Sequence, residues 1–87
     1  MNDKLNEINK YLQNTYKTDK IKIVENDNKY FEYKIVFDYQ VIDEINSLDT
    51  YDINNSIYYY LTGKDSLVDE NVYVNSIKKE LKKWIKI

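Results

Sequence analysis

The residues best equipped for chemistry in this chain are its carboxylates. Asp43 stands beside Glu44, and Asp69 beside Glu70. Paired carboxylates do general acid–base work when the two side chains meet, but neighbours in sequence point apart on a helix. Asp49, Asp52 and Asn54 offer oxygens at a spacing that superficially suits calcium, yet the glycine and the closing glutamate of a calcium loop are missing. The sequence has no His and no Cys. That removes the usual zinc, haem and iron–sulfur ligands, thiol chemistry and a Ser-His-Asp triad. A single Gly excludes a Gly-rich phosphate loop. The inventory therefore reads as a protein that is not an enzyme and that carries no cofactor and no metal.

What the acids can do instead is bind. Residues 38–75 carry Lys64 as their one cation against Asp38, Asp43, Glu44, Asp49, Asp52, Asp65, Asp69 and Glu70. Six of the ten tyrosines, Tyr39, Tyr51, Tyr58, Tyr59, Tyr60 and Tyr73, lie in the same stretch. A bland reading makes these acids helix caps and a solvated face. The functional reading is a negative, Tyr-bearing surface that docks on a basic protein site. Tyrosine offers large, stiff, amphipathic contact area, and acids steer a positive partner. In the run Tyr58-Tyr59-Tyr60, successive helical residues step about 100° apart. With Tyr60 facing the core, Tyr58 and Tyr59 are expected outside. The candidate partner-binding set is Asp43, Glu44, Asp49, Asp52, Tyr58, Tyr59, Asp65, Asp69 and Glu70.

The elements that must position these residues can be read from periodicity. Residues 2–16 form an amphipathic helix with Leu5, Ile8, Leu12 and Tyr16 on one stripe and Asn2 or Asp3 as cap. Residues 20–25 and 29–39 form a hairpin around Asn26-Asp27-Asn28. Phe31, Tyr33, Ile35, Phe37, Tyr39 and Val41 alternate with mostly polar residues. Keeping Ile21 and Ile23 on the same buried face requires a three-residue loop with Ile23 opposite Phe31, or a five-residue loop of the same parity. Residues 40–49 read as a turn of helix or irregular chain, with continuation of the strand through Val41 as the rival. Residues 50–62 form a second helix, capped by Asp49 or Thr50, with Ile53, Ile57, Tyr60 and Leu61 inward and Gly63 as its left-handed stop. Residues 69–86 form a third helix with Tyr73, Ile77, Leu81, Trp84 and Ile85 inward, Trp84 being expected to pack on Leu12 or the sheet. A short strand at Val72-Tyr73-Val74 is its rival. The expected order is α-β-β-α-α, one α+β domain over residues 1–87 with helices covering an antiparallel hairpin or sheet.

The last stretch, residues 76–87, carries Lys78, Lys79, Lys82, Lys83 and Lys86 against Glu80. Lysines there complement the helix dipole. A basic helix with Trp84 also suits a membrane surface or nucleic acid, although all 13 cations are lysines and forgo bidentate contacts. No stretch of 18 apolar residues exists to span a membrane, and the first residues do not read as a secretory signal. Cytoplasm is the expected compartment. The Lys, Asn, Ile and Tyr bias fits an AT-rich genome, such as a low-GC bacterium or its phage.

In size, element order and acidic, Tyr-rich surface the chain resembles small phage-encoded inhibitors, some anti-CRISPR proteins among them. The resemblance is one of organisation. It implies a non-catalytic inhibitor that blocks a basic, nucleic-acid-binding site on a larger host protein, with no small-molecule substrate, no membrane contact and no nucleic acid bound directly. Monomer and homodimer both fit. Two alternatives stand beside it: a toxin-neutralising or immunity-type protein using the same surface, and a nucleic-acid or membrane-surface binder working through the lysine helix.

Overall fold

The computed structural model describes residues 2–84. Asn2 accepts the Leu5 N–H at 3.1 Å and starts helix α1 (Asp3–Tyr16), which turns Ile8, Leu12 and Tyr16 inward. Strands β1 (Ile21–Glu25), β2 (Tyr33–Phe37) and β3 (Gln40–Ile45) form an antiparallel sheet in that spatial order, followed by α2 (Thr50–Thr62) and α3 (Glu70–Trp84). The class is α+β, as expected, but the order is α-β-β-β-α-α. The helices lie on one face of the sheet. The core between them is built from Ile21, Ile23, Ile35 and Phe37 below and Ile8, Leu12, Ile53, Ile57, Tyr73, Ile77 and Leu81 above.

The extra strand corrects the reading of residues 40–49. Asp38 and Tyr39 have φ of 50° and 72°, the left-handed pair that makes a two-residue hairpin turn. Neither is Gly, so the turn hides inside what reads as continuous alternation. Lys20 holds the Asp38 carboxylate at 3.2 Å. Tyr39 is therefore 94 % exposed rather than inside, and Val41 lies on the far face of the sheet opposite Val36.

The first hairpin keeps the expected parity but not the expected register. Ile23 pairs with Ile35, not Phe31, and residues 26–32 form the loop. Ile21, Ile23, Ile35 and Phe37 share the buried face, Tyr33 is half-buried, and Phe31 is exposed. Side-chain amides explain the longer loop. Asn46 accepts the Glu32 N–H at 2.8 Å and donates to the Tyr30 carbonyl at 3.0 Å, while Asn28 accepts the Tyr30 N–H at 2.6 Å. Carboxamides compete well with strand pairing for backbone groups.

A bulge decides which side chains of β3 face the helices. Val36 pairs with Val41 but Ile35 pairs with Asp43, so Ile42 is the extra residue. Side chains alternate along a strand, and one inserted residue inverts that alternation beyond it. Asp43 and Ile45 thereby turn to the helix face, and Glu44 turns to the far face.

Helix α2 matches its expected bounds. Asp49 accepts the Tyr51 N–H at 2.7 Å, and Gly63, at φ 72°, closes the helix with its N–H on the Tyr59 carbonyl at 2.8 Å. Helix α3 is capped by Asp69, which accepts the Asn71 N–H at 2.8 Å, and residues 72–74 are helical rather than strand. The expectations for Ile85 and for the Trp84 side chain lie outside the described residues.

Candidate functional site

The nine candidate residues separate into three groups. In the first, Tyr58 is buried, which corrects the expectation that it faces outward, while Glu44 and Glu70 are half-buried and hydrogen-bonded to neighbouring elements. Glu44 accepts from Asn26 Nδ2 at 2.7 Å and ties down the β1–β2 loop on the far face. Tyr58 is buried, its ring 5.0 Å from that of Tyr73, because α2 is covered by the sheet on one side and by α3 on the other. Tyr60, expected inside, is instead 38 % exposed, its ring 5.7 Å from that of Phe37.

Glu70 belongs to a polar cluster that joins the three helices. Asn54, fully buried on α2, donates to Glu70 Oε2 at 3.0 Å and to the Tyr11 hydroxyl at 2.9 Å, and accepts from the Tyr16 hydroxyl at 2.5 Å. Burial first, then the nearby Tyr11 and Glu70, push the Tyr16 ionisation upward. No buried side-chain polar atom among the described residues lacks a partner.

Asp49, Asp52 and Asp69 form the second group, around the start of α2. All three are exposed. Segment 63–69 runs back along α2 from its end to this region and is pinned by two phenols. Tyr73 donates to the Ser66 carbonyl at 2.7 Å, and Tyr51 donates to the Val68 carbonyl at 2.8 Å. The Tyr51 phenol is pushed up to about 12, chiefly by its hydrogen bond with Tyr73, then by burial and by the charges of Asp52 and Asp69.

Asp43, Tyr59 and Asp65 form the third group and line one groove. Its cavity volume is about 590 Å³. Ile42 and Asp43 of β3 make one wall, Asn55, Ser56, Tyr59 and Tyr60 of α2 the other, and Gly63 and Asp65 one end. The bulge at Ile42 aims Asp43 into this groove, where it accepts from the Ser56 hydroxyl at 2.7 Å and from the Glu44 N–H at 2.9 Å. Tyr59 is 55 % exposed. Asp52, Ser56 and Tyr59 fall at i, i+4 and i+7 on one side of α2, which links the groove to the acids at the helix start.

No salt bridge neutralises these five aspartates among the described residues; the ion pairs there are Lys20–Asp38 and Lys83–Glu80. No cluster of metal-ligating side chains is found among the described residues either. Sequence reasoning missed Ser56, which only the bulge brings to Asp43, and the exposed aromatics Tyr30 and Phe31 on the Asn-tied loop. The asparagines around that loop were the available signal. No helix among the described residues is long and apolar enough to cross a membrane. No protein-family model matches this chain, and no curated protein or solved structure is significantly similar to it.

Proposed function

We propose that this chain is a small, non-catalytic, cytoplasmic inhibitor, of the kind encoded by phages and mobile elements, that covers a basic nucleic-acid-binding site on a larger protein. The observation that supports this reading is the uncompensated acidic face. Asp43, Asp49, Asp52, Asp65 and Asp69 are exposed and unpaired by any cation among the described residues, with Tyr59 between them. The face runs from the cap of α2 to just beyond its end, about 20 Å at 1.5 Å per residue. That is the footprint of several phosphates on a duplex and fits within one protein interface. Negative charge without internal partners speeds encounter with a basic surface and rejects acidic ones.

The test starts with the immobilised chain in host lysate beside a variant carrying Asp43→Asn, Asp52→Asn and Asp65→Asn. The retained protein is then identified and assayed for nucleic-acid binding. The reading expects a protein that only the unaltered chain retains and whose nucleic acid the chain displaces. A retained protein that keeps its nucleic acid, or retention by both chains alike, contradicts it. The second reading has its own observation: Lys78, Lys79, Lys82 and Lys83 are exposed on α3. Retardation of DNA or RNA by the chain alone, abolished by changing these lysines, would put a nucleic-acid binder in its place.

A further inference from the structure

The groove between β3 and α2 carries the inference furthest. It rests on the docking reading above and names the chemistry that the groove receives. We propose that it is a receptor for an arginine side chain presented by the partner protein.

Four features converge on a planar cation. First, the two carboxylates come from different elements, Asp43 from β3 and Asp65 from the segment after α2, and both line the same space. A cation seated there meets negative charge from two directions. Second, α2 ends at the groove, with Gly63 in its lining and no basic residue in the last turn. The negative end of the helix dipole therefore adds to the same potential. Third, Tyr59 and Tyr60 are 55 % and 38 % exposed and form part of one wall, so aromatic surface able to attract a cation borders the space. Fourth, the Asp43 carboxylate is held before any ligand arrives. One oxygen accepts the Ser56 hydroxyl at 2.7 Å and the other the Glu44 N–H at 2.9 Å. Each carboxylate oxygen has a further acceptor site, so the group is fixed and still able to bind. A preorganised acceptor loses less freedom on binding.

The volume, about 590 Å³, lies in the range of ligand sites, roughly 300–1,000 Å³. The chain does not fill the groove itself. Lys64 is the only cation in residues 38–75 and makes no ion pair among the described residues. Arginine fits better than lysine. Its guanidinium is flat, presents a fork to a carboxylate, stacks on aromatic rings and is more weakly hydrated than an ammonium.

The experiment uses the full chain, isotopically labelled for NMR, and three probes: N-acetyl-arginine amide, N-acetyl-lysine amide and N-acetyl-citrulline amide. The arginine probe is expected to give saturable shifts at the amides of Asp43, Tyr59, Tyr60, Gly63 and Asp65. Lysine should bind several-fold more weakly, and citrulline, isosteric but uncharged, should not bind. Asp43→Asn with Asp65→Asn should abolish the shifts while the rest of the spectrum stays in place, and Ser56→Ala should weaken binding several-fold. Equal responses to arginine and lysine overturn the proposal. So do shifts spread evenly over Asp49, Asp52 and Asp69, or binding that survives the double change. Because no partner is present in this titration, its failure leaves docking by the acidic face to be judged by the capture experiment alone.

Discussion

Asn54 donates its side-chain N–H to Glu70 Oε2 at 3.0 Å, and this bond ties Glu70 into the joint between three helices. Removing the carboxamide strands the buried Tyr16 hydroxyl and takes one donor from the half-buried Glu70 carboxylate. Each buried group left unsatisfied costs roughly 1–3 kcal/mol. Asn54→Leu should therefore destabilise by about 3 kcal/mol, measured by urea unfolding. Tyr16→Phe should cost about 1 kcal/mol, and the double change should cost less than the sum, because the two side chains share one bond.

Asn9 protects an edge. Its carboxamide accepts the Ile23 N–H at 2.8 Å and donates to the Ile23 carbonyl at 2.9 Å, closing the outer side of β1 as a further strand would. Open edges invite pairing between chains. Asn9→Ala should lower stability by about 1–3 kcal/mol and raise concentration-dependent aggregation, read by light scattering during thermal melts. Unchanged melting and scattering would show that the contact carries no weight.

Alkaline pH should release the segment that follows α2. Tyr51 and Tyr16 both have folded-state ionisations above the unfolded value of about 10, Tyr51 at about 12. A group raised in this way contributes its full stability below pH 10 and loses it as pH climbs through the folded value. Unfolding should therefore set in above pH 10, and a late fraction of tyrosinate absorbance should appear together with loss of near-UV ellipticity. Complete titration near pH 10 with the ellipticity intact would contradict this account.

Elements governed by local chemistry were legible in the chain, and those governed by packing were not. Asn2, Asp49 and Gly63 act at the helix ends where their side chains or backbone freedom place them. The buried parity of Ile21, Ile23, Ile35 and Phe37 follows from alternation alone. The turn at Asp38-Tyr39 escaped because neither residue is Gly and a tyrosine rarely takes a positive φ, and β3 was lost with it. The bulge at Ile42 leaves no mark in the sequence, yet it decides that Asp43 rather than Glu44 faces the helices. Tyr58 is inside because α3 covers a second side of α2, which periodicity on a single helix does not report. The exposed aspartates were legible as a set, whereas the groove that joins Asp43 to Asp65 required the fold.

Charge and capping can be separated at Asp49 and Asp69. Asn caps helices about as well as Asp, so Asp49→Asn and Asp69→Asn remove charge while keeping the hydrogen bonds to the Tyr51 and Asn71 N–H groups. Each should leave the melting temperature nearly unchanged and slow association with the partner, most visibly at low salt. The Ala variants should lose about 1 kcal/mol of stability apiece.

The acidic face along β3 and α2 is the surface proposed to be covered by a partner. Hydrogen–deuterium exchange on the complex with the retained host protein reads that surface directly. Added protection is predicted at residues 40–43, 49–52 and 59–69, with residues 78–83 of α3 exchanging as in the free chain. Protection confined to 78–83, with the groove unchanged, would contradict the proposal.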